Sequence, residues 1–299
     1  MDMLRISGLR KRFGDKEVLR GLDLTVPENS IFGFIGQNGA GKTTTMKSVL
    51  GLLKAERGEI YVNGERVVYG QTATNRHIGY LPDVPEFYSF MTAPEYLDFC
   101  GAIGGMDKRE TVSRRDELLE LVGLREETHR VGGFSRGMKQ RLGIAQALLA
   151  RPKLLICDEP TSALDPLGRK EILDILLEVR EQTTVLFSTH ILTDVERICT
   201  DVAFLYDGVI RVQGIMSEIK SRFRTDGYTL EIANEADRNA ILGAFPAVRA
   251  AEGNRLILSE KETSAFDVLR FISDRRIPLL KWDRMEPTLE SVFMEVIEP

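Results

Sequence analysis

The chain has 299 residues, enough for one large domain or an ordinary domain with a small companion. A hydrophobic content of 43% and a charged content of 28% are those of a soluble globular protein and exclude a fibrous or disordered one. The net charge is −5 with Lys and Arg dispersed along the chain, which argues against nucleic acid as the main partner.

No apolar run reaches the ~18–20 residues of a membrane span, and Met1-Asp2-Met3-Leu4-Arg5 has no signal-peptide character. Any membrane connection is therefore expected to go through a partner. The cysteines Cys100, Cys157 and Cys199 are far apart and show no metal-ligand spacing, a reduced, cytoplasmic pattern.

Residues 1–36 read as β-structure, with Leu4-Arg5-Ile6 and Val18 to Val26 flanking a Gly14-Asp15 turn. Phe13, just before that turn, either stacks on a base or covers a small sheet. Ile31-Phe32-Gly33-Phe34-Ile35 is a buried strand that feeds Gly36-Gln37-Asn38-Gly39-Ala40-Gly41-Lys42-Thr43. This is G-x-x-x-x-G-K-T, the phosphate-binding loop pattern, and a helix is expected from Thr43 to about Leu53. Small residues let the loop backbone turn its N–H groups toward phosphate oxygens, and the helix adds its positive dipole end. Gly36, Asn38, Gly39, Ala40, Gly41, Lys42, Thr43 and Thr44 are the expected nucleotide contacts. Lys42 reaches the β- and γ-phosphates, and the Thr43 hydroxyl ligates Mg²⁺.

Asn63-Gly64 between apolar runs predicts a hairpin, and His77 to Pro82 a short strand. Residues 84–134 change character. Thr92-Ala93-Pro94-Glu95 is a capping box opening a helix to about Ala102. A second helix runs from about Lys108 to Val122, where Gly123 ends it. A helical insertion in an α/β chain suggests a subdomain with its own task. Ser135 and Gly137 precede a helix expected over Met138 to Ala150; they form either a second anion site or an ordinary N-cap.

Leu154-Leu155-Ile156-Cys157 is a buried-strand run ending in Asp158-Glu159. Carboxylates at such an edge suit Mg²⁺ ligation by Asp158 and activation of water by Glu159 as general base, with two solvated acids as the plain alternative. A turn at 162–166 leads to a helix from about Leu167 to Arg180. A buried strand follows over Thr183 to Thr189, with His190 directly after it. Strand 202–206, the Asp207-Gly208 turn and strand 209–212 come next. Residues 220–299 carry strands at 228–232, 255–258 and 277–282, a helix over 263–273, and a last helix after Pro287 with Thr288 as N-cap. The apolar positions Leu289, Val292, Phe293 and Val296 read as core packing.

Phe13, the loop 36–43, Ser135-Arg136-Gly137-Met138-Lys139-Gln140, Asp158-Glu159, Ser162-Ala163-Leu164-Asp165 and His190, in this order, resemble the nucleotide-binding subunit of ATP-binding cassette (ABC) transporters. The resemblance covers roughly residues 3–218. It implies an α/β P-loop NTPase core with an antiparallel β subdomain and a helical subdomain (about 84–150). The cassette would occupy 1–219 and a small α+β domain 220–299. The tail is similar to the closing segment of the branch that exports drugs, antibiotics and polysaccharides.

The resemblance also implies roles. Phe13 stacks on adenine. Ser135 and Gly137 contact the γ-phosphate of ATP held by an opposite subunit, Asp165 belongs to a loop crossing that interface, and His190 contacts the γ-phosphate. ATP and Mg²⁺ are the implied ligands. A second copy or paralogue and a separate membrane-spanning permease are the implied partners, placing the chain on the cytoplasmic face of the membrane. Two positions depart from the family pattern. Asp83 stands where a Gln usually helps to coordinate Mg²⁺, and Arg136 where the signature usually has a second glycine. The rivals are a soluble cassette ATPase acting on nucleic acid or ribosomes, and a module that holds ATP without turnover.

Overall fold

The computed structural model describes residues 2–223, 227–285 and 287–297. Two compact units are present, one over Met1–Met216 together with Val296–Pro299 and one over Ser217–Glu295.

In the first unit β1 (Asp2–Phe13) and β2 (Lys16–Pro27) form a long hairpin. They are followed by β3 (Ile31–Ile35), α1 (Lys42–Val49), β4 (Arg57–Val62), β5 (Glu65–Arg66) and β6 (Ile78–Leu81). Three helices come next: α2 (Ala93–Ile103), α3 (Lys108–Leu121) and α4 (Arg136–Leu148). The unit finishes with β7 (Leu154–Asp158), α5 (Pro166–Val179), β8 (Thr184–Thr189), α6 (Leu192–Ile198), β9 (Asp201–Tyr206) and β10 (Val209–Ile215).

A six-stranded sheet runs β10-β9-β3-β8-β7-β6, parallel except for β10. Strands β3, β7 and β8 are buried at every residue, as strands covered on both faces must be, which is why they read as unbroken apolar runs. The parallel arrangement brings the C-terminal ends of β3, β8, β7 and β6 to one edge. A second, antiparallel sheet runs β2-β1-β4-β5. Its inner residues Leu4, Ile6, Leu22 and Leu24 share one core with Phe32 and Phe34 of β3 and Met46 of α1.

Local signals were followed closely in several places. Asn63-Gly64 and Asp207-Gly208 are two-residue hairpin loops with both residues at positive φ. Thr92 and Glu95 form the reciprocal capping box of α2. Other elements differ from expectation. Helix α1 stops at Val49, short of Leu53, because Gly51 takes φ 68° and the N–H groups of Leu52 and Gly51 return to the carbonyls of Lys47 and Ser48. Helix α4 begins at Arg136, so Gly137 lies inside its first turn.

The second unit opens with α7 (Met216–Arg222) and continues with β11 (Gly227–Ile232), α8 (Glu235–Ala244), β12 (Arg249–Ala250), β13 (Arg255–Ser259), α9 (Ala265–Asp274) and β14 (Leu279–Arg284). Its sheet order β12-β13-β11-β14 is antiparallel throughout. This is the split βαβ, ferredoxin-like arrangement. Leu230, Ile232, Leu256 and Leu258 form its core with Ile241 of α8 and Val268 and Ile272 of α9. Alternation puts Thr229, Glu231, Arg255 and Asp283 on the opposite, polar face. Helix α8 went unread in the sequence, although Asn234 caps it by accepting from the Asp237 N–H. The closing helix α10 (Leu289–Ile297) starts where expected, with the Thr288 hydroxyl accepting from the Ser291 N–H. Leu289 and Val292 are buried.

Candidate functional site

Strand β3 delivers the loop 36–41 to the sheet edge, and α1 leaves it with its N-terminus facing the same space. Two glycines are required by shape. A Cβ on Gly36 would stand 2.8 Å from the Leu205 carbonyl oxygen. Gly41 holds φ 115°, and a Cβ there would meet Leu19 at 2.7 Å. The cavity beside this loop has a volume of about 330 Å³ and is lined by Phe13, Val18, Asn38, Gly39, Gly41, Lys42, Thr43, Thr44, Asp83, Asp158 and Glu159. Gly36 and Ala40 complete the loop outside that lining. Residues of β1, β2, α1 and β7, of the loop after β3 and of the turn after β6 thus meet in one place although they are remote in sequence.

Lys42 is buried and occupied by its own chain. Its Nζ donates to the Gly36 carbonyl at 2.6 Å and the Gln37 carbonyl at 3.3 Å, and pairs with Glu159 Oε1 at 3.0 Å. The other oxygen of Glu159 lies 2.9 Å from His190 Nδ1. A carboxylate oxygen only accepts, so Nδ1 donates and the half-exposed ring keeps Nε2 for a second partner. Thr43 Oγ1 donates to Asp158 Oδ2 at 2.7 Å. Asp158 itself is buried.

Ser188, which sequence reasoning passed over as an ordinary strand residue, organises both acids. It faces Asp158 across the β7–β8 register and donates to Asp158 Oδ1 at 2.6 Å. Its carbonyl and hydroxyl both accept from the Glu159 N–H, each at 3.1 Å. Glu159 sits at φ 49°, a left-handed conformation unusual for a residue with a side chain, and this pair of bonds holds it there. The one signal available was a serine closing the apolar run Val185-Leu186-Phe187, one place before Thr189-His190. Burial first, then the carboxylate of Asp158, pushes the Tyr80 phenol up to about 12.

Phe13 is half exposed, with Lys11 Nζ 5.1 Å from its ring centroid. Such a ring offers a face to a nucleobase. A larger cavity, about 700 Å³, lies between α3 and the ends of α4 and α5, but its arginines are paired within the chain: Arg114 with Glu117 at 2.5 Å and Arg125 with Glu120 at 2.7 Å.

The donors fit a hard divalent cation. A hydroxyl and carboxylates converge without sulfur or imidazole, which suits Mg²⁺ bound through one or two carboxylates with phosphate and water as the other ligands. Among the described residues, no three His, Cys, Asp or Glu side chains form a metal cage by themselves.

Residues 19–162 match the ABC transporter family, and residues 214–297 match the C-terminal domain of DrrA1-3-like ATP-binding proteins. The chain is 45% identical to the ABC transporter ATP-binding protein YxlF of Bacillus subtilis (strain 168), over 99% of both chains. It belongs to the ATP-binding subunits of ABC transporters. It is also 40% identical to the bacitracin transport ATP-binding protein BcrA of Bacillus licheniformis, over 74% of this chain and 72% of that one. Among solved structures, the ATP-binding subunit of an ABC transporter superposes with a TM-score of 0.67 at 33% identity, covering 74% of this chain and 93% of the other. Membership makes this ABC subunit an ATPase whose hydrolysis powers transport.

The ABC subunit does not bring all its expected site residues together. Ser135, Gly137, Asp165 and His190 lie outside the lining of the phosphate cavity, His190 touching it only through Glu159. Ser135 is an N-cap whose hydroxyl accepts from the Met138 N–H at 3.2 Å, and Asp165 caps α5 by accepting from the Gly168 N–H at 3.2 Å. Both are exposed. The plain reading of Ser135 is therefore correct locally, yet its hydroxyl hydrogen stays available outward. A Cβ on Gly137 would come no closer than 4.0 Å to any atom, so nothing inside the chain requires glycine there. Asp83, expected as a metal ligand, lines the cavity, but its carboxylate is directed to Arg136 at 3.4 Å.

Proposed function

We propose that this subunit forms an ATP-driven dimer that powers export of antibiotic-like compounds through a separate membrane-spanning permease. The observation that supports it best is that Lys42, Glu159, Thr43 and Asp158 line one cavity, with Lys42 paired to Glu159, Thr43 bonded to Asp158, and His190 joined to them from outside the lining through Glu159. In the nucleotide-loaded site, phosphate oxygens replace Glu159 and the loop carbonyls as partners of Lys42. Glu159 is then released to accept a proton from the attacking water, and His190, no longer held by Glu159, presents its ring N–H to the γ-phosphate. Water attacks the γ-phosphorus in line, the bond to the bridging oxygen breaks, and ADP and phosphate leave. Mg²⁺, held by Thr43, Asp158 and Asp83, would neutralise charge on the phosphates.

Ser135 and Gly137 serve the partner's nucleotide in this reading, with Asp165 at the same interface. That accounts for their lying outside the cavity and for a glycine with no internal reason to be one. Homology to a bacitracin transport protein and to the DrrA1-3-like C-terminal domain supports the export direction. A cassette acting on nucleic acid finds no support among these relatives.

Among the described residues no helix is long and apolar enough to cross a membrane. The helical insertion offers a docking surface for the permease. Val84, Tyr88, Phe90 and Ile103 are 50–72% exposed, apolar surface of the kind a protein partner covers. Tyr88 packs edge-on against Phe99 at 5.4 Å, which holds the patch in shape. Co-purification from detergent-solubilised membranes tests this reading. Recovery of a polytopic partner, lost on Tyr88→Glu plus Phe90→Glu, is expected; a chain recovered alone from cells that express its permease contradicts it.

A further inference from the structure

The two positions at which the chain departs from the usual cassette pattern touch each other. Arg136 Nη2 lies 3.4 Å from Asp83 Oδ1. A second contact comes from the same helix: Gln140, fully buried, donates from Nε2 to the Asp83 carbonyl at 2.7 Å. The backbone of Asp83 is therefore pinned to α4, while its half-exposed side chain can turn about χ1. Asp83 also lines the phosphate cavity with Lys42, Thr43 and Asp158. Its carboxylate has two places to find positive charge, Arg136 on one side and a cation in the cavity on the other.

Arg136 has its own need for an anion. It is the first residue of α4, and the first turn of that helix carries no acid. A cation there faces the positive end of the helix dipole, and Asp83 offsets it.

We propose that Asp83 exchanges partners when the site loads: it pairs with Arg136 in the nucleotide-free subunit and turns to Mg²⁺ when nucleotide and metal enter. The inference rests on the nucleotide-site reading above. Arg136 is a positioning residue that acts through Asp83. It competes with the metal for the carboxylate and so lowers the affinity of the site for Mg²⁺. Once released, its guanidinium stands beside Ser135 and Gly137, on the surface assigned to the second subunit's nucleotide. Metal entry at one site is thereby tied to freeing a cation for the other, by rotation of one side chain.

The test compares ADP affinity of the full chain in excess EDTA and in saturating Mg²⁺, by isothermal titration; ADP avoids turnover. The ratio of the two dissociation constants measures how much the metal strengthens binding. Exposed ion pairs shift equilibria by about two- to five-fold. Arg136→Ala is expected to raise the ratio by about that factor, Arg136→Lys to keep it near wild type, and Asp83→Asn to lower it. In the Asp83→Asn background, Arg136→Ala is expected to change nothing further. Three results overturn the proposal: no change on Arg136→Ala, an equal change in both backgrounds, which marks a general field effect, or a lysine that behaves as alanine does. Failure of the wild type to bind ADP at all would overturn the phosphate-loop reading instead, and the proposal with it.

Discussion

Lys42 in this structure is a cation whose partners all belong to its own chain, and that fixes what its loss does. Lys42→Ala removes a buried cation that now bonds two loop carbonyls and Glu159 and that would pair with the phosphates of bound ATP. Truncating one member of a buried charge pair costs about 2–5 kcal/mol. ATP affinity should fall by about 30-fold or more, measured by titration of the purified chain; undiminished affinity would remove the phosphate-loop assignment. Phe13 carries a smaller share. Stacking of a base on an aromatic ring is worth about 1–3 kcal/mol, so Phe13→Ala should weaken ATP about fivefold or more while Phe13→Tyr changes little. Equal affinities for all three would make Phe13 a cover for the sheet and nothing else. Lys42, Thr43, Asp158 and Glu159 were singled out by motif and spacing, and the structure brings them to the lining of one cavity. Ser188 was not, since a serine in a strand announces itself only through the neighbour it faces, and that neighbour is set by sheet register.

The elements were legible where a short-range signal decides them. The capping box at Thr92, the two-residue hairpin loops and the unbroken apolar strands all act within a few residues of where they are written. Thr92→Ala should destabilise the first unit by about 1 kcal/mol with ATP affinity unchanged, read from denaturant unfolding and titration side by side. A loss of ATP binding in that variant would place α2 in the site rather than beside it. The misses have local causes. Gly51 ended α1 early because its left-handed conformation turns the N–H groups of Gly51 and Leu52 back onto the carbonyls of Ser48 and Lys47, and the apolar Leu50, Leu52 and Leu53 disguised that stop. Helix α4 starts at Arg136 because Ser135 works as its cap, so Gly137 is helical although glycine usually argues against it. Helix α8 was overlooked because among its residues only Ile241 is buried, too thin a stripe for periodicity to register, although Asn234 marked its start.

At the scale of the whole molecule, the second unit has its own core and should respond by itself. Leu258 is fully buried there with Leu230 and Leu256. Leu258→Ala should cost about 2–5 kcal/mol, lowering a calorimetric transition of that unit while nucleotide affinity persists; a parallel loss of ATP binding would show that the two units fold as one. The order of the cassette motifs made the family readable from sequence, whereas the split βαβ form of the tail did not emerge until its sheet order was known. What the fold leaves incomplete is the site itself, since Ser135, Gly137 and Asp165 stay outside the cavity that holds Lys42 and Glu159. The central claim is that a second subunit supplies them. Glu159→Gln removes the proposed base, and hydrolysis should slow by about 10²- to 10⁴-fold with ATP still bound. Light scattering of that variant at saturating Mg²⁺ and ATP is the most direct measurement: the account predicts a doubled mass that returns to a single chain without nucleotide or when Lys42→Ala is added. A variant that holds ATP and remains a single chain, or that turns ATP over at the wild-type rate, would contradict it.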